Sequence, residues 1–219
     1  MVLAVGVVAW GRYVSLNSSP EARARWVQAS LEGLGCTVWR DPGRRDWTRE
    51  WWRETLGRSV KIMVTAPEGF GDAELAEAAV LLSEEPAVAL WLGQSEVTSD
   101  GLHALAEIKH LQAITLPARQ TTPDDFATLA KAPELFLVAL AGDGLSDEAL
   151  KPLSQLPALT HLLVVAPLLG DEALEHVRQL EQLTHFIYFK TPFSQQALDA
   201  LRKARPSLQV IEHKPRYGC

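Results

Sequence analysis

Leu159–Leu174 reads LTHLLVVAPLLGDEAL, and twenty-four residues later Leu183–Leu198 reads LTHFIYFKTPFSQQAL. A chain that repeats its leucines, its histidine and its turn at a fixed interval is built from copies of one structural unit. Further copies align before these two. The units begin at Val60, Ala87, Leu111, Leu135, Leu159 and Leu183, with a partial one at Leu208. The first is 27 residues long, the next four are 24 and the last is 25.

Each unit opens on apolar residues at alternate positions. The fourth is Met63, Leu90, Ile114, Val138, Leu162, Phe186 and Ile211, and the sixth includes Leu92, Leu116, Leu140, Val164 and Tyr188. Alternation at period two predicts a short strand with one buried face. The twelfth position is Gly71, Thr98, Thr122, Ser146, Gly170 or Ser194, all residues tolerated at a helix N-cap. Acidic residues follow, among them Asp72, Asp100, Asp124, Asp147 and Asp171, where the positive end of a helix dipole favours them. An apolar stripe then runs at helical spacing, as in Leu150, Leu153, Leu156 and Leu174, Val177, Leu180. Strand, turn and capped helix cannot bury both apolar faces in one unit, but stacked units can.

The L-x-x-L-x-L opening and the unit length resemble the leucine-rich repeat family. Val97–Leu102 (VTSDGL) and Ser146–Leu150 (SDEAL) are similar to the V-T-D-x-G-L turn of its bacterial members. The resemblance covers Val60 to about Val210. It implies an α/β solenoid, with a parallel sheet on the concave face and helices on the convex face, used for protein–protein recognition. One slot departs from the family. The ninth position, usually Asn or Cys, holds Glu68, Ser95, Arg119, Asp143, Pro167 and Thr191, so the turn must be satisfied in another way.

Residues 1–59 do not repeat and read as an N-terminal cap on an array spanning 60–219. Residues 1–58 hold nine arginines, no lysine, six acidic residues and six of the seven tryptophans. Strands are expected at Val2–Ala9 and Cys36–Arg40, and helices at Pro20–Leu34 and Trp47–Leu56. An α/β cap suits a solenoid, whose terminal units otherwise expose their core. The stretch Ser30–Trp47 is also similar to the first half of a Toll/interleukin-1 receptor (TIR) domain, which would imply NAD-cleaving chemistry. A TIR domain is much longer than this segment, and its expected third strand is already the first repeat strand.

Chemistry-bearing motifs are absent. No glycine-rich phosphate loop, C-x-x-C, G-x-S-x-G or H-E-x-x-H pattern occurs, so no catalytic residue, metal site or cofactor is expected. A formal net charge of -6 argues against a nucleic-acid partner. Arg44, Arg45, Arg49, Arg53 and Arg58 alternate with Asp46, Glu50 and Glu54 at helical pairing distances, which reads as an ion-paired helix rather than a basic platform. His161 and His185 share the third position of adjacent units and should be neighbours at about the 4.8 Å strand spacing. Two histidines are short of a metal-ligand set. They read as a repeat echo, with a pH-sensitive contact as the sharper alternative.

Strand positions three, five and seven face away from the helices. They are Ala89, Trp91, Gly93; Ala113, Thr115, Pro117; Leu137, Ala139, Ala141; His161, Leu163, Val165; and His185, Ile187, Phe189. None is charged, whereas water-facing strand positions are normally polar. The expected function is therefore binding of a protein partner, or a second copy, through Trp91, Leu137, His161, Leu163, Val165, His185, Ile187 and Phe189. The chain's own apolar Val2–Trp10 is another candidate cover. That segment is about half the length of a membrane span, so a membrane-associated subunit of a larger assembly is the alternative to a cytoplasmic module.

Overall fold

The computed structural model describes residues 19–40, 60–117 and 122–213. The strand expected at Val2–Ala9, the helix at Trp47–Leu56 with its arginines, and Arg119 lie outside the described residues.

The elements run α1 (Pro20–Gly33), β1 (Thr37–Arg40), β2 (Ile62–Thr65), α2 (Asp72–Leu82), β3 (Val88–Trp91), α3 (Ser99–Leu102), β4 (Leu111–Pro117), α4 (Pro123–Leu129), β5 (Leu137–Ala141), β6 (His161–Val165), α5 (Ala173–Gln179), β7 (His185–Tyr188), α6 (Gln195–Ala204) and β8 (Gln209–Glu212). The strands form one eight-stranded sheet in simple chain order. β1 pairs antiparallel with β2, and every later pair is parallel. Successive parallel neighbours, each returned by a helical segment on one side, make an α/β leucine-rich-repeat solenoid.

Inward positions form the main core. Val64, Leu90, Ile114, Val138, Leu162, Phe186 and Val210 lie in one row across seven strands. From Leu90 onward the row advances by 24 residues at every step. Two sequence assignments are corrected by this register. Met63 sits beside Ala89 on the opposite face, and Val64 takes the core row. At the other end Val210 takes the core row, while Ile211 faces outward and is 41% exposed. The neighbour of His185 is accordingly Gln209. Period two makes such errors all-or-none, because a slip of one residue changes face. Between β3 and β4 the register also shifts at Val88 and Ala89, and Ala87 before it has a φ of 55°.

The convex side differs from the uniform helices expected. Asp147–Gln155 is a 3-10 helix containing Pro152, and α3 continues as a 3-10 helix over His103–Glu107. Leu150, Leu153 and Leu156 recur every third residue, which places them on one face of a three-residue turn. Five of the six expected caps hold, and Ser194 accepts from Ala197 N–H. Gly170 does not cap: α5 begins later, with Glu172 at its N-cap.

Carboxylates take the place of the missing turn asparagine. Asp72 accepts from Thr98 N–H at 2.8 Å and from its hydroxyl at 2.7 Å. Asp171 does the same for Ser194, at 2.8 and 2.6 Å, and Asp147 accepts from Gly170 N–H at 2.8 Å. These three helix-start acids therefore stitch their own coil to the next as well as meeting a dipole. Asp171 is held below the usual carboxylate range by its bonds from the Ser194 hydroxyl and backbone. In the ninth slot, Ser95 Oγ donates to Leu92 O at 2.7 Å and Thr191 Oγ1 to Phe189 O at 3.2 Å. Arg205 closes the far end by donating to the carbonyls of Arg178, Leu180, Glu181 and Leu183, at 2.8–3.0 Å. Those groups lie at and beyond the end of α5, where helical carbonyls lack partners.

At the N-terminal side, Val27 and Leu31 of α1 join the same core as the repeat leucines. Arg40 of β1 pairs with the buried Glu85 at 2.8 Å and donates to Ala24 O. The strand that a TIR reading would need third is β2, and it runs antiparallel to β1, unlike the parallel strands of a doubly wound sheet.

Gly101, the glycine of VTSDGL, is buried against Asp72, and a Cβ at this position would collide with that carboxylate. Gly101→Ala should cost roughly 1–3 kcal/mol, the usual range for overpacking, by displacing Asp72 from Thr98. Leu168→Ala, at a side chain 70% exposed, should change stability by less than about 0.5 kcal/mol. Urea denaturation of the two variants checks the contrast.

Candidate functional site

The sheet face turned away from the helices carries two full rows. One reads Met63, Ala89, Ala113, Leu137, His161, His185, Gln209, and the other Thr65, Trp91, Thr115, Ala139, Leu163, Ile187, Ile211. Neither holds a charged residue. All eight site residues expected from sequence fall on this face, grouped over β3 and β5–β7 and their ends.

Their exposure differs from the open trough expected. Leu137 is 1% exposed, Leu163 7% and Ile187 4%. With Val60, Met63, Ala89, Ala113 and Ala139 they form a second apolar cluster, against which Trp39, Trp91, Phe136 and Val165 pack. The middle of the face is thus floor rather than surface. Half-buried positions surround it: Trp91, Val165, Phe189, His161 and His185. Strand alternation identifies the face that a side chain joins, but not how deeply its neighbours bury it. Thr115 was legible only as one uncharged residue among fifteen. Its Oγ1 is sealed without a partner among the described residues.

Phe189 marks the upper rim, with the Lys190 ammonium 5.2 Å from its ring centroid and His213 edge-on at 5.7 Å. Lys190 holds a φ of 52°, which turns the chain sharply after β7.

The histidines meet as their spacing requires. Their rings stack at 4.3 Å between centroids and 6° between planes, and Phe136 packs edge-on to His161 at 5.7 Å. Thr160 Oγ1 lies 2.8 Å from His161 Nδ1, and Thr184 Oγ1 lies 2.9 Å from His185 Nδ1. Burial, then the nearby His185, lowers the His161 pKa to about 4. In-plane lone pairs on parallel rings do not converge on one ion. Among the described residues no group of three or more His, Cys, Asp or Glu could hold a metal. Burial pushes the Cys36 thiol up to about 11, which leaves it a poor nucleophile at neutral pH. Among the described residues no helix is long and apolar enough to cross a membrane.

No family model matches this chain, and no curated protein matches it. Two solved structures from Listeria monocytogenes are similar to it. An internalin C2 is 14% identical with a TM-score of 0.37, covering 74% of this chain and 84% of its own. A second internalin is 12% identical with a TM-score of 0.36, covering 86% of this chain and 67% of its own. The solenoid assignment rests on the strand register described above.

The unfolded chain protonates His161 near 6.5, whereas the folded chain refuses that proton until about 4. Protonation therefore favours unfolding in this window, and stability should fall as pH drops from 6.5 toward 4. His161→Phe should flatten that slope in chemical denaturation followed at successive pH values. An unchanged slope would mean that His161 is solvated like a free imidazole.

Proposed function

We propose that this protein is a non-catalytic recognition module that binds a protein partner through the uncharged sheet face. The observation carrying the reading is the absence of charge from both rows of that face, flanked by half-buried Trp91, Val165 and Phe189. Aromatic side chains at the edge of a rigid apolar floor are the usual anchors of an interface, because they bury large area at little entropic cost. Leu137, Leu163 and Ile187 fix the floor. His161 and His185 are the polar groups that orient what lands there. Apolar burial at about 25 cal/mol per Å² drives such contacts without charge pairing.

Since Leu163 belongs to the floor, the informative substitutions lie on the rim. Val165→Asp and Phe189→Asp, tested in the tagged full chain, should retain the circular dichroism spectrum and Tm. Each should reduce partner capture by about tenfold or more, equivalent to at least ~1.4 kcal/mol. Lys151→Glu, on the exposed convex side, should not. Equal capture by all three defeats the reading. A homodimer that dissociates in the rim variants would identify a second copy as the partner.

A further inference from the structure

Two joints between coils carry histidines, in surroundings of opposite character. Across the β4–β5 joint, His110 Nδ1 lies 2.8 Å from Glu134 Oε1. The bond to His110 holds the Glu134 carboxyl below its usual range, so a proton taken up by His110 meets a carboxylate. Across the β6–β7 joint, the imidazole of His161 faces the imidazole of His185, stacked at 4.3 Å with 6° between planes. Thr184 Oγ1 donates to Thr160 O at 3.0 Å, and Thr160 Oγ1 donates to Phe136 O at 3.4 Å. Each hydroxyl has one proton and gives it there. Its oxygen therefore accepts Nδ1–H from the ring beside it, at 2.8 Å for His161 and 2.9 Å for His185. With Nδ1 already protonated, any further proton makes the ring a cation.

Among the described residues no carboxylate faces either ring. The flanking residues of the row are Leu137 and Gln209, and those of the next row are Ala139, Leu163, Ile187 and Ile211. At the strand starts the charged groups are Glu134, bonded to His110, the exposed Glu181, and Arg205, bonded to four carbonyls. At the strand ends, Lys190 and His213 lie against the Phe189 ring, and Glu212 stands beside Tyr188. Burial and His185, with no carboxylate to offset them, lower the His161 pKa to about 4. A first proton can go to either ring, but the second is added beside an existing charge. At a separation near that of the stack and an effective dielectric of about 20, this lowers its affinity on the order of a hundredfold. Separating the rings removes the repulsion and lets water reach both, so acid favours an open joint.

We propose that the β6–β7 joint is acid-labile: when both rings take protons, β7 parts from β6 and the chain from Thr184 onward frays, while β2–β6 stay paired. In a stack of coils each unit contacts only its neighbours, so loss of one interface leaves the others in place. The released piece holds β7, α6 and β8, and a single coil cannot bury Phe186, Leu198 and Leu201 alone. The bonds from Ser194 to Asp171 cross the same joint. Because the Asp171 pKa is depressed, their contribution is lost only as pH falls through that lower value. The response between pH 6.5 and about 4 therefore belongs to the histidines. The joint stands apart from the recognition reading, whereas its consequence, removal of Ile187 and Phe189 from the sheet face, rests on it.

Amide hydrogen exchange of the full chain, expressed as protection factors, tests the joint. Between about pH 6 and about pH 4.5, protection across β7 and β8 should fall about tenfold more than across β3–β5, as one extra proton bound on opening requires. A uniform fall over all strands, or no fall at β7, overturns the proposal. His161→Phe keeps a stacked ring that cannot be charged, and β7 should then follow β4; His185→Phe should act likewise from the other side. A loss at β7 that persists in both variants belongs to other groups and also overturns it. The wild-type pattern decides alone where a variant fails to fold. A uniform fall, with Phe189→Asp still reducing capture at neutral pH, removes the joint and leaves the recognition reading. A fall confined to β7 and β8, with capture equal in all the rim variants, does the reverse.

Discussion

No coil of this chain can bury its own leucines. A strand of four to seven residues has an inward row one or two side chains deep, and the short helical segment behind it covers only part of that row. Burial becomes complete when a neighbour supplies the next rung at about 4.8 Å. Every other feature follows from that need for neighbours. Parallel pairing in simple order keeps Val64 through Val210 in one line, and the carboxylate stitches set the distance between turns. Arg40–Glu85 at one side and Arg205 at the other satisfy groups where the described repeats give way to other structure.

Much of this was legible from spacing. The 24-residue interval, the period-two leucines and the N-cap residues identify the solenoid and the meeting of His161 with His185. The register differs from the spacing at the two ends of the described array. Met63 and Ile211 are apolar residues adjacent to other apolar residues, so hydrophobicity alone does not reveal which member of the pair faces inward. Hydrogen-bonded register decides, and it places Val64 and Val210 there. Helix type was likewise hidden. Leucines every third residue at 150, 153 and 156 satisfy both an α-helical stripe and a 3-10 face, and Pro152 between them lacks the N–H that an α-helix interior would use.

The candidate site was half legible. Absence of charge at fifteen outward positions located it, and that property belongs to the sequence. The depth of Leu163 and Ile187 and the seal around Thr115 belong to three dimensions. They depend on residues from three or four coils acting together. Asp72, Asp147 and Asp171 show the same division: their helix-dipole role is local and readable, while their bonds to the next coil span 23 to 26 residues.

The aspartate stitch has a consequence for how such an array changes over generations. Asp147 and Asp171 reach the same offset in the following turn, so these two joints share a carboxylate that accepts a backbone N–H. Duplicating or excising a block of two dozen residues between those joints regenerates an equivalent junction. Arg205 has no such interchangeability, since its guanidinium is specialised to four carbonyls of a single turn. Length is therefore free to drift at those two joints, whereas the turn that Arg205 caps must be inherited as a piece.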